Sequence, residues 1–174
     1  MTDEEIRVRS VYLFLACSQA VEQFKDQLAA TFPTPPLSSK LLLDKLLRRE
    51  LGLLFRYWTT RKIWERLEAN EADAKSLNLA LLRLFTDGLK LPKDGSGLRY
   101  AELSTPIEEV HELSHRMTNA LGVEHPPLLT ELQEGLFLWR DTVLQHTANA
   151  IELPLTELTA SIQRWTARAP DEPA

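Results

Sequence analysis

A single cysteine, Cys17, among 174 residues excludes an internal disulfide and any zinc centre built on a cysteine cluster. It lies in an apolar run, so it reads as a buried, inert thiol. Glycine is scarce, with six residues, which disfavours a turn-rich sheet protein. The sequence holds no phosphate-binding loop, dinucleotide fingerprint or serine elbow. No stretch approaches the ~18 to 20 uninterrupted apolar residues of a membrane span. The acidic run Thr2-Asp3-Glu4-Glu5 stands where a secretory leader would be basic, so the expectation is a cytoplasmic protein without a membrane partner. Positive charge is in deficit: 20 Lys and Arg against 25 Asp and Glu leave a net charge of −5. That balance argues against a surface wholly devoted to nucleic acid.

What is present is leucine at helical spacing. The length suits one domain with a full core, expected over residues 1–168, with a frayed tail over 169–174. Thr2 and Glu5 fit a capping box opening a helix to about Thr31, carrying Ile6, Val11, Leu15, Val21, Phe24 and Leu28. Ser38 or Ser39 is expected to cap a second helix reaching about Ala69, with Gly52 as its weak point. Asn70 opens a third, with Leu77, Leu81, Leu82, Leu84 and Phe85, closed by Gly88. Ser104 or Thr105, followed by Pro106, starts a fourth that stops at Gly122; Pro126 and Pro127 start a fifth reaching about Leu153. Pro154 precedes a last amphipathic stretch with Leu155, Leu158, Ile162 and Trp165. The predicted fold is all-α: an up-and-down bundle of about five long helices with a C-terminal helical extension. At most one small β-hairpin is expected near residues 89–103, with an ordered loop as the alternative. Leu15, Leu47, Leu54, Leu82, Met117, Phe137 and Leu144 are the expected core.

The sharpest chemical pattern is His111-Glu112-Leu113-Ser114-His115. On a helix its two histidines share a face and could offer imidazoles to one zinc ion, with Glu112 placed as a general base. These five residues resemble the active-site helix of the zincin metallopeptidases. That resemblance implies a zinc cofactor held by His111, His115 and a downstream carboxylate, Glu134 or Glu131 in its stead, with Glu112 activating water. The charged flanks Glu109 and Arg116 depart from the family's pattern, and at most one hairpin is available where the family has a sheet to hold a substrate. The competing reading needs no cofactor. Ile107, Val110, Leu113, Met117 and Leu121 form a buried stripe, and Glu112 pairs with Arg116 in water.

Residues 40–66 are the second anomaly. They carry Lys40, Lys45, Arg48, Arg49, Arg56, Arg61, Lys62 and Arg66 against Asp44, Glu50 and Glu65. A helical wheel gathers Lys45, Arg48, Arg49, Arg56 and Arg66 on one stripe, opposite Leu43, Leu46, Leu47, Leu54, Tyr57 and Trp64. Arg48, Arg49, Arg56 and Arg66 are therefore the candidate contacts to an acidic protein or a nucleic acid, unless the chain's own acidic helices neutralise them. Glu50 and Arg61 project from the apolar face, and each marks an inter-helix polar contact or a ligand pocket. Finally, Arg140 and His146 resemble the Arg-x4–6-His pattern of the HEPN ribonucleases, which implies a helical ribonuclease using those two residues. The leading expectation is a non-catalytic helical interaction module, a subunit or adaptor that binds a protein partner. A small zinc metallohydrolase and a HEPN-like ribonuclease are the alternatives.

Overall fold

The computed structural model describes residues 1–30, 37–91, 98–103, 105–121 and 126–167, with the side chains at 37–40, 98–99, 117, 118, 120, 121, 126–129 and 132 outside the description. Caps expected from the sequence open three of the helices. At α1, Asp3–Ala30, the Thr2 N–H donates to Glu5 at 2.7 Å and the Glu5 N–H returns to Thr2 Oγ1 at 3.2 Å. At α3, Glu71–Gly88, the Asn70 side chain accepts from the Asp73 N–H at 3.3 Å. At α5, Pro106–Leu121, Thr105 and Glu108 exchange the same reciprocal pair at 2.8 and 3.3 Å. The second helix, α2, Leu37–Arg66, begins ahead of Ser38 and Ser39, so neither serine is the N-cap. Between α3 and α5 lies the four-residue helix α4, Leu98–Ala101, and the chain ends in α6, Pro126–Glu152, and α7, Leu155–Thr166. Asn70→Ala is expected to cost about 1 kcal/mol by freeing that N–H, read as a lower denaturation midpoint at unchanged slope.

No hairpin forms among the described residues of 89–103, and the described residues contain no strand. Leu89, Lys90 and Leu91 are irregular, with Lys90 at a φ of 54°, and the second candidate strand is α4. The turn foreseen at 93–97 falls outside the described residues. Both segments put their apolar side chains against α2 instead of pairing with each other. Leu91 packs so close to Gly52 that an added Cβ would stand 3.1 Å from it, and Tyr100 is fully buried with its hydroxyl donating to Glu50 at 2.9 Å. Gly52 is thus the place where a connection crosses the helix.

All the long helices pack around α1 and α2: α6 lies against both, α3 also against both, α5 against α2 and α6, and α7 against α1. The chain alternates direction from α1 to α3. Trp58 meets Glu109 while Glu50 faces Arg116, so α5 also runs antiparallel to α2. The centre of α2 has no free face: Leu51, Gly52, Leu53, Leu54 and Phe55 are all buried in succession.

The expected core is corrected at two positions. Leu47 and Leu54 are buried, Leu15 and Leu144 half-buried, and Met117 lies outside the described side chains. Leu82 and Phe137 are exposed, at 39% and 46%. On α3 the core row is Ala74, Leu77, Leu81 and Phe85, and on α6 it is Leu136, Val143, Thr147 and Ala150; each misplaced residue stands one position off its row. Ile107 is exposed as well, because α5 turns Glu109, Val110 and Leu113 inward.

Two close contacts fix α6. Its C-terminus meets Pro154, which has no N–H to offer the carbonyl of Ala150 four residues before it. Arg9 of α1 supplies the donor, its Nη1 lying 2.8, 3.0 and 3.1 Å from the carbonyls of Ala150, Ile151 and Leu153. Near the other end, Gly135 sits under Phe24, whose ring stacks on Trp139 at 6.1 Å between centroids.

Candidate functional site

The connection Leu67–Asn70 folds α3 back along α2, so residues at matching distances from it face each other. Arg56, Thr60 and Trp64, four apart on α2, form one wall of a groove; Lys75, Asn78, Leu79 and Leu82 of α3 form the other. The groove holds about 260 Å³. Its apolar members are open to solvent although large: Trp64 at 39%, Leu79 at 48% and Leu82 at 39%. Trp64 was expected in the buried face of α2, but Ile63 takes that place and is fully buried.

Arg56 gives the groove its electrostatic character. Burial lowers its pKa, and no carboxylate among the described residues forms an ion pair with it. Among the described residues no Asp or Glu lines the groove, whereas Lys75 adds a second cation. Asn78 donates its amide to the Ala74 carbonyl at 3.0 Å, while its buried Oδ1 meets no donor. A half-buried cation without an anion is costly, and such a group is a marker of an incomplete contact.

The other three arginines of the stripe are placed differently. Arg48 is held bidentate by Glu22 of α1 at 2.6 and 3.3 Å and by Asp44 at 3.2 Å, and Lys25 joins both carboxylates at 2.6 and 2.7 Å. The Arg48 guanidinium holds the Glu22 carboxyl below the usual range, with Lys25 adding to the effect. Arg66 pairs with Glu152 of α6 at 2.7 Å, and Arg49 is half-exposed, 4.0 Å from Glu50. A larger cleft of about 770 Å³ is lined by Leu41, Asp44, Lys45, Arg48, Arg49 and Lys90 among others, but its Arg48 is already neutralised. Of the four arginines named from the sequence, Arg56 alone among the described residues stands half-buried without an anion.

On α5, His111 and His115 are exposed, and His115 Nε2 is 2.9 Å from Asn119 Nδ2. Glu112 makes a close ion pair with Arg116, the partner foreseen for it in a solvated face. Glu134 and Glu131 are exposed on α6. Among the described residues no group of three or more His, Cys, Asp or Glu is gathered for a metal ion. Glu50 does find partners, Tyr100 at 2.9 Å and Arg116 at 3.9 Å, while Arg61 is exposed rather than held in the apolar face.

Arg140 and His146 look toward different helices. His146 Nδ1 lies 3.3 Å from the Tyr12 hydroxyl, with the Trp165 ring edge-on to it, and burial lowers its pKa. Arg140 instead adds its field to Glu109 of α5. Glu109 is the residue most misjudged from the sequence: it is 3% exposed and accepts from Trp58 Nε1 at 3.0 Å. Burial raises its pKa against the opposing effects of Trp58, Arg140 and Arg61. A carboxyl raised on folding holds its proton longer in the native state, so stability rises as pH falls from that raised value toward 4.5. Glu109→Gln is expected to remove this gain and to be the more stable form at neutral pH, as paired denaturant titrations at pH 4.5 and 7 would show. Wild type losing ground to the variant on acidification would contradict it.

Among the described residues no helix is long and apolar enough to cross a membrane. Comparison of the whole chain with protein-family models, with curated proteins and with solved structures finds no match in any of the three.

Proposed function

We propose that the protein is a non-catalytic helical interaction module, a subunit or adaptor, and that it holds a protein partner in the groove between α2 and α3. The observation that carries this reading is the grouping of Trp64, Leu79 and Leu82, all exposed, around a half-buried Arg56 that has no anion. Tryptophan and arginine are the residue types that most often dominate binding energy, and exposed apolar groups clustered in a concavity are a marker of an interface. Two other arginines of the stripe, Arg48 and Arg66, are instead answered by carboxylates of neighbouring helices.

Leu79→Glu combined with Leu82→Glu tests the reading without touching the core, since both side chains point away from the row that packs on α1 and α2. The double variant should keep its helicity and unfolding midpoint within about 0.5 kcal/mol of wild type. A partner isolated with the wild-type chain and then purified should bind the variant roughly 30-fold more weakly or worse. Equal affinity for both forms would place the partner elsewhere on the molecule.

A further inference from the structure

We infer that the segment this groove accepts is an amphipathic helix of the partner carrying two acidic residues about two turns apart, with apolar residues between them; the inference rests on the groove being the docking site. The two cations of the groove stand at opposite ends. Arg56 lies beside Leu82, far from the connection, and Trp64 lies beside Lys75, close to it. Eight residues of α2 separate the ends, a length of about 12 Å at 1.5 Å per residue. On a partner helix that distance is spanned by residues seven or eight apart. The positions three and four along then fall opposite Leu79 and the middle of the groove. The motif is therefore acidic, two spacers, two apolar residues, two spacers, acidic.

Charge selects the sign and shape selects the helix. Among the described residues the lining has two cations and no carboxylate, so a partner carboxylate is the complement of Arg56, whose planar guanidinium can take it in two parallel hydrogen bonds. An extended segment would bring a row of backbone N–H and C=O groups against walls that are themselves helices. Helix backbones have few such groups to give, whereas a helical ligand arrives with its own already satisfied.

The test uses a displayed library of 18-residue segments of random sequence, selected on the full chain and counter-selected on the Leu79→Glu/Leu82→Glu form. The expected outcome is enrichment of the acidic–apolar–acidic spacing. A synthetic peptide of that class should lose at least tenfold in affinity on Arg56→Met. The loss should largely vanish when the peptide's facing Glu is replaced by Gln, a coupling that a purely structural role for Arg56 would not produce. Arg56→Met should meanwhile leave the free protein as stable as wild type or more so, since it removes an unpaired half-buried charge. Groove-dependent segments with neutral or basic ends would defeat this inference and leave the docking site standing. Enrichment indifferent to Leu79 and Leu82, or no enrichment, would defeat both. A wild-type chain that sediments as a dimer and becomes monomeric on Leu82→Glu would mean that a second copy fills the groove, and the inference would fall.

Discussion

Arg9→Met should lower stability by about 3 kcal/mol, the largest loss expected from any single surface-reaching side chain in the molecule. The guanidinium reaches three carbonyls at the end of α6, one of which, that of Ala150, has lost its ordinary donor to Pro154. Methionine keeps the packing of the stem but removes the charge and every donor. The carbonyls of a helix C-terminus then face a partly buried site with nothing to bind, and the favourable placement of a cation at the negative end of the helix is gone. Arg9→Lys should recover part of the loss, as a point charge in place of a fork. Equilibrium denaturation of the three forms measures this directly; a wild-type midpoint for Arg9→Met would mean that water serves those carbonyls equally well.

Gly135→Ala should also destabilise, by about 1 to 3 kcal/mol, although alanine is the better helix former by roughly 1 kcal/mol. The reason is the neighbour. A Cβ on residue 135 would stand 2.5 Å from Phe24 Cε2, and the Phe24 ring is fully enclosed and stacked on Trp139. The ring must shift, and with it the seam between α1 and α6. Gly135→Ala joined to Phe24→Leu should recover some of the loss, because the smaller side chain leaves room for the methyl. A double variant no better than Gly135→Ala alone would show that the clash is not with the ring.

These two residues also show where sequence reasoning stops. Helix boundaries were legible because they are local: Asn70 and Thr105 cap through atoms three residues away, and their chemistry depends on nothing else. Periodicity likewise identifies a face, so Leu47 and Leu54 are buried as expected. It does not give the width of the face or say what covers it. Leu82 and Phe137 lie one residue off their core rows, and Trp64 lost its place to Ile63, because the neighbouring helix covers a narrower arc than the apolar residues occupy. Leu82 and Trp64, two of those displaced residues, line the groove. Partners distant in sequence left no local trace: Arg9 serves carbonyls more than 140 residues away, and Glu109 is fixed by Trp58. The charge stripe was visible on a wheel, but only the packing of α1 and α6 against α2 separates Arg48 and Arg66, which are neutralised, from Arg56, which is not.

The central position of α1 has a consequence in time. It touches α2, α3, α6 and α7, so about half of its surroundings lie late in the chain. At a synthesis rate of ~5 to 20 residues per second, the ~120 residues between the end of α1 and the carbonyls that hold Arg9 take on the order of ten seconds to make. During that interval the side chains that will meet α6, Phe24 and Tyr12 among them, have no native partner on that side. The nascent chain must therefore either hold α1 provisionally against α2 and α3 or be shielded by another protein until α6 has been made.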